Sequence, residues 1–241
     1  MSNSAGPLLA PTGAEADREG MIFADRRDAG RKLAARLEHL SAADAVVLGL
    51  PRGGVPVAYE VAEALDKPLD AIIVRKLGAP FNAEFAIGAI GEGGVRVLDE
   101  AAIRALGVRE SELIAIERRE RAELHERVIR FRGGRDPIPL AGRAAILIDD
   151  GVATGSTVRA ATQVVRALDA ARIVLAMPVG PPGWDAGIGA DEVICLATPE
   201  RFFAVGQWYT DFTQTSDDEV IELLGRRRAA TGGRRETGSD R

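Results

Sequence analysis

Cysteine is almost absent. Cys195 is the one cysteine in 241 residues, so no internal disulfide can form. It lies in the apolar run from Glu192 to Ala197 and reads as a buried structural thiol. The two histidines, His39 and His125, stand far apart, and no Cys/His group has metal-ligand spacing, which argues against structural zinc. Aromatic residues make up only 5% of the chain, so any cluster of them is informative. No apolar run reaches membrane length and no leader pattern is present, so the expectation is a cytoplasmic protein with no membrane partner. The net charge of −5 argues against bulk binding to nucleic acid. The chain has no G-x-x-x-x-G-K-[ST], which argues against a P-loop NTPase. It has no G-x-G-x-x-G after a strand, which leaves a dinucleotide fold unsupported.

What remains is a chain long enough for one domain with a real core. Residues 1–20 are rich in Ala, Gly, Pro and Ser without periodicity and read as a disordered tail. Residues 225–241 hold Arg226, Arg227, Arg228, Arg234 and Arg235 and read as a basic flexible tail, leaving a domain at 21–224. Between the tails, helical and strand patterns alternate. Asp28–Leu40, Val55–Leu65, Ser111–Arg130 (with Ser111 as N-cap) and Ser156–Leu168 carry helical spacing. Ala45–Leu50, Asp70–Val74, Ala144–Ile148, Ile173–Pro178 and Glu192–Leu196 are short apolar runs of strand length. Phe85–Ile90 and Val95–Leu98 flank Gly93-Gly94 as a hairpin. The pattern predicts an α/β fold: a mainly parallel central sheet flanked by helices, with a hairpin and long helix inserted between Phe85 and Arg130. Such sheets bind ligands beyond the carboxyl ends of their strands, which directs attention to the loops after Leu50, Val74, Ile148 and Met177.

The loop after Ile148 reads Asp149-Asp150-Gly151-Val152-Ala153-Thr154-Gly155-Ser156-Thr157. Two carboxylates at a strand end can accept hydrogen bonds from the vicinal diol of a ribose. Gly155 permits close backbone approach. Amides from Ala153 to Thr157, with the hydroxyls of Thr154, Ser156 and Thr157, suit a phosphate at a helix N-terminus. A diol clamp followed by a phosphate cradle describes a ribose 5-phosphate site. A second anion site is suggested by Arg52-Gly53-Gly54 at the turn after Leu50.

The stretch Ala144–Thr157 resembles the phosphoribosyl pyrophosphate (PRPP) signature of the type I phosphoribosyltransferases. That resemblance implies their fold, PRPP as substrate, and Mg2+ held mainly by PRPP oxygens. It places Arg52, Gly53 and Gly54 in the pyrophosphate loop. Arg75 and Lys76 then fall on the strand that opens the flexible loop, here continued by a short Phe81–Glu84 connection. Asp149 and Asp150 would secure the ribose, and Arg52 and Lys76 would stabilise the leaving pyrophosphate. The segment Arg201–Phe212 resembles the hood of purine-type members. By that likeness Phe203 stacks on the acceptor base, Ala204 offers backbone bonds, Trp208 lines the acceptor site, and Asp211 joins Asp149 and Asp150 at the metal. Ala153 stands where hypoxanthine–guanine enzymes carry an aspartate that contacts the purine ring, which argues against a 6-oxopurine acceptor. Two function classes stay open: transfer of ribose 5-phosphate to a nitrogen acceptor, and PRPP or nucleotide sensing without transfer. A homodimer is an open expectation.

Overall fold

The computed structural model of the chain describes residues 22–236. The expected tail at 1–20 lies outside them. Five strands form the central sheet: β1 (Ala45–Gly49), β2 (Leu69–Ala71), β6 (Ala144–Ile148), β7 (Arg172–Val179) and β8 (Glu192–Ala197). Their order is β2-β1-β6-β7-β8 and every pairing is parallel. Alternation along each strand feeds two cores. Ala45, Val47, Ile146, Ile148, Val174 and Ala176 enter one, with helices α1 (Arg26–Arg36), α2 (Gly54–Ala64) and α6 (Asp217–Glu236). Val46, Leu48, Ala145, Leu147, Ile173 and Leu175 enter the other, with α5 (Ser156–Ala167). Burial on both faces explains why these strands read as unbroken apolar runs.

A second, antiparallel sheet holds β3 (Val74–Ala79), β4 (Asn82–Gly91) and β5 (Arg96–Leu98). The expected hairpin is its β4–β5 half. It leads through α3 (Glu100–Ala105) to the long α4 (Glu110–Arg132). Gly91 seats this sheet on α5, since a Cβ there would lie 2.4 Å from Val164 Cγ1. Among the described residues no helix is long and apolar enough to cross a membrane.

Several local expectations are corrected. The run Asp70–Val74 divides between two sheets at the buried pair Ile72-Ile73, because apolar sequence continues across the break and hides it. Ser111 lies inside α4. The N-cap is Arg109, whose backbone N–H donates to the Glu112 carboxylate at 3.0 Å. Cys195 is half-buried, and its thiol donates to the Ala197 carbonyl. The basic stretch from residue 225 continues α6 as far as Glu236. Arg227 is buried there, donating from Nε to the Lys67 carbonyl and from its terminal nitrogen to Asp66, each at 2.8 Å. It thereby satisfies groups at the C-terminal end of α2, which is why a charged residue occupies an inward position.

Candidate active site

The chain leaves β1 toward β2 on one side and leaves β6 toward β7 on the other. The order therefore reverses between β1 and β6, whose last residues Gly49 and Ile148 are register partners. A crevice opens at such a switch point. The loops after these two strands, Pro51–Gly54 and Asp149–Gly155, meet there.

They meet without room to spare. A Cβ on Gly53 would lie 1.9 Å from Asp150 Oδ2. One on Gly54 would lie 2.6 Å from the Ile148 carbonyl oxygen and 3.0 Å from Asp149 Oδ1. The two glycines thus let one loop rest directly on the acidic pair, and the Pro51–Arg52 peptide between them and β1 is cis. Gly155, at the N-cap of α5, has φ +72°, and its missing Cβ would sit 3.1 Å from the Trp184 carbonyl oxygen. Only glycine takes that backbone readily. Thr154 and Ser156 hydroxyls lie 3.1 Å apart, and Ala153, Thr154 and Thr157 are exposed. The first amides of α5 have no intrahelical acceptor, so an exposed helix start with three hydroxyls is chemically ready for an anion.

Asp150 is held by a residue that the sequence did not single out. Arg26 donates from Nε to Asp150 Oδ2 at 2.8 Å, with both side chains largely buried. A terminal nitrogen of Arg26 donates to the Thr213 carbonyl at 2.7 Å, and its guanidinium lies 4.0 Å from the Phe212 ring centroid. Tyr209 donates its hydroxyl to the Asp150 carbonyl oxygen at 2.5 Å. Burial pushes the Tyr209 phenol well up, so it stays a donor. Asp149 Oδ1 accepts from the Asp150 amide at 2.9 Å. Burial, reinforced by the Asp150 charge, holds the Asp149 carboxyl well above the usual range. Burial also raises Asp150, against the pull of Arg26. One clue to Arg26 was available. It opens a helix, where the dipole disfavours a cation, so it had to serve something else.

The cleft beside Asp149 measures about 460 Å³ and is lined by Arg75, Lys76, Arg119, Glu120, Arg127, Asp149 and Thr157, among others. It brings together Lys76, Asp149 and Thr157. Arg119 and Arg127 come from α4 and were not foreseen. The expected cations are less available than their positions suggested. Arg75 pairs with Glu120 at 2.7 Å and Glu123 at 2.5 Å. Arg52 faces Asp217 at 3.5 Å.

At the hood, Phe203 is 82% exposed, so its ring is not core, and Ala204 is exposed beside it. Val205 reaches the signature loop, where a Cβ on Gly151 would lie 2.5 Å from Val205 Cγ1. Trp208 packs against the core and its carbonyl accepts from the Phe23 amide at 2.8 Å, while its buried indole N–H has no hydrogen-bond partner among the described residues. Asp211 does not join the acidic pair. Its Oδ1 accepts the Thr213 amide at 2.9 Å and hydroxyl at 2.6 Å, which lowers its pKa. Among the described residues no three His, Cys, Asp or Glu gather as a metal-binding group, so the three-carboxylate expectation is corrected. Asp149 and Asp150 by themselves still suit a magnesium ion whose other ligands are oxygens of a bound phosphate ester. Their shared repulsion in a partly buried place is what a cation relieves.

The sequence profile described as "Phosphoribosyl transferase domain" matches residues 22–193. The chain belongs to the phosphoribosyl transferase family. Relatives within it include a Mycobacterium tuberculosis H37Rv protein named as a "putative phosphoribosyl transferase", 58% identical over 207 residues. The counterpart from strain CDC 1551 is equally similar. The match covers 85% of this phosphoribosyl transferase chain and 47% of each relative, so the chain spans about half the length of the curated relatives it matches. The crystal structure of TT1426 from Thermus thermophilus is 45% identical, with TM-score 0.80, and the match covers 85% of this chain and 98% of that one.

Proposed function

We propose that this phosphoribosyl transferase binds PRPP in the cleft above Asp149 and Thr157 and transfers ribose 5-phosphate to a nitrogen acceptor, releasing pyrophosphate. The observation that carries this reading is the seating of Gly53 and Gly54 on the acidic pair at the switch point, beside the start of α5. On this reading an anion loop, a diol clamp and a phosphate cradle share one surface, in the order in which PRPP presents pyrophosphate, ribose and 5-phosphate.

Asp149 and Asp150 accept from the 2- and 3-hydroxyls, and Arg26 and Tyr209 hold Asp150 in place for that task. The α5 N-terminus with Thr154, Ser156 and Thr157 receives the 5-phosphate. Asp149 and Asp150 would hold Mg2+ directly or through water, and the ion supplies neutralisation of pyrophosphate oxygens when bound. In the transfer, the C1–O bond breaks with its electron pair leaving on pyrophosphate. The acceptor nitrogen lone pair forms the new C1–N bond, and its proton passes to solvent. The sugar carries oxocarbenium character between these events, so the nearby carboxylates favour it electrostatically. Phe203 offers a solvent-facing ring for stacking on a flat acceptor.

The test is pyrophosphate release from PRPP and Mg2+ with a panel of nucleobases. Release that depends on one base supports transfer. PRPP binding without release under any base would replace transfer with sensing, and no PRPP binding would remove the reading.

A further inference from the structure

Any ligand that ends in pyrophosphate needs a cation free to meet it. The positively charged side chains at this cleft differ in that respect. Arg75 is held by Glu120 and Glu123, Arg119 by Glu120 at 2.9 Å, Lys76 is itself engaged by a partner, and Arg52, on the neighbouring loop, faces Asp217. Arg127 lines the cleft and, among the described residues, makes no hydrogen bond or ion pair. It lies seven residues, or about two helical turns, beyond Glu120 on α4, and so shares that helix's cleft-facing stripe. It also lines a small adjoining pocket with Pro51, Val74 and Thr157. That position is between the pyrophosphate loop and the start of α5.

We infer that Arg127 is the residue that receives the pyrophosphate end of PRPP, so that the inserted helix α4 completes the substrate site. This rests on the PRPP reading above and adds a substrate-binding residue to it. An arginine meets phosphate oxygens through two parallel N–H donors in a fixed plane. Arg127 can do so without leaving a carboxylate, whereas Arg75 would first have to part from two. Glu120 and Glu123 thereby acquire a sorting role. They hold Arg75 and Arg119, while Arg127 stays without an ion pair among the described residues.

The experiment is calorimetric titration of the full chain, in Mg2+, with PRPP, inorganic pyrophosphate and ribose 5-phosphate. The proteins are wild type, Arg127→Gln and Arg127→Lys. The expected result for Arg127→Gln is a loss of roughly ten- to a hundredfold for PRPP and pyrophosphate, the size of a lost charge-assisted contact. Ribose 5-phosphate affinity stays unchanged, and Arg127→Lys falls between. Wild-type PRPP binding that Arg127→Gln retains in full overturns the role of Arg127 and leaves the PRPP reading standing. A parallel loss for all three ligands with a lowered melting temperature assigns Arg127 to structure and also overturns it. Failure of the wild type to bind PRPP overturns both.

Discussion

Replacing Arg26 by Met keeps most of the buried stem and removes the charge. Asp150 then stays behind, largely buried, with its 2.8 Å partner gone. Removing one partner of a buried pair costs about 3–5 kcal/mol. Both side chains here retain some solvent contact, at 12% and 15%, so the lower end applies. The bond to the Thr213 carbonyl and the contact with Phe212 are lost in the same step. A total near 3 kcal/mol corresponds to a melting temperature lowered by roughly 6–12 °C for a domain of this size. The penalty must depend on pH in a set direction. Burial already raises the Asp150 carboxyl, with Arg26 opposing, so its removal raises the carboxyl further. The cost is full where Asp150 is ionised and shrinks as acidification protonates it. Thermal melts of wild type, Arg26→Met, Asp150→Asn and the double variant at pH 8 and pH 5.5 measure this as a coupling energy. A loss below about 0.5 kcal/mol, or one equal at both pH values, would refute the reasoning, because neither fits an orphaned buried carboxylate.

Phe203→Ala is expected to leave the melting temperature unchanged, since the ring is 82% exposed, while weakening base or nucleotide binding by about 1–3 kcal/mol; melting curves beside equilibrium binding check both halves. Gly155→Ala forces a side chain into left-handed backbone at about 1–2 kcal/mol and is expected to weaken PRPP binding as well as stability, read by calorimetry and melting. Because the Asp149 carboxyl is raised and the ligand favours its ionised form, PRPP–Mg2+ affinity is expected to climb with pH through a midpoint above the ordinary carboxylate value of about 4. The stability contribution of that same group in the free protein runs the other way, present at low pH and lost as pH rises through the raised pKa, and Asp149→Asn is expected to abolish both trends. Arg227→Ala is expected to destabilise the fold by roughly 1–3 kcal/mol, measured by urea unfolding, because it removes a buried side chain's packing together with its bonds to the Lys67 carbonyl and the Asp66 carboxylate.

The central sheet and the signature loop were legible because their signals are local. Burial on both faces writes a strand such as Ala144–Ile148 as an unbroken apolar run, and the acids, glycines and hydroxyls of the loop follow within nine residues. Arg26 was not legible as a partner of Asp150, since 124 residues separate them and only the folded chain joins them. The last helix was missed because Arg227 takes an inward position after Val220, Leu223 and Leu224, and a charge there interrupts the apolar period while the burial continues. The engagement of the Asp211 carboxylate by Thr213 was likewise not legible, since spacing does not reveal so local a contact.

The seat of Gly91 on Val164 has a mechanical consequence. Val164 lies eight residues into α5, a rod whose other end carries the phosphate loop about 12 Å away. A methyl group at position 91 would press on that rod and displace its tip, because a packed helix shifts as a unit before it bends. The antiparallel sheet thus acts as the anvil against which the phosphate loop is set. Substitutions along its contact with α5 should be felt at the ligand by residues that never touch it.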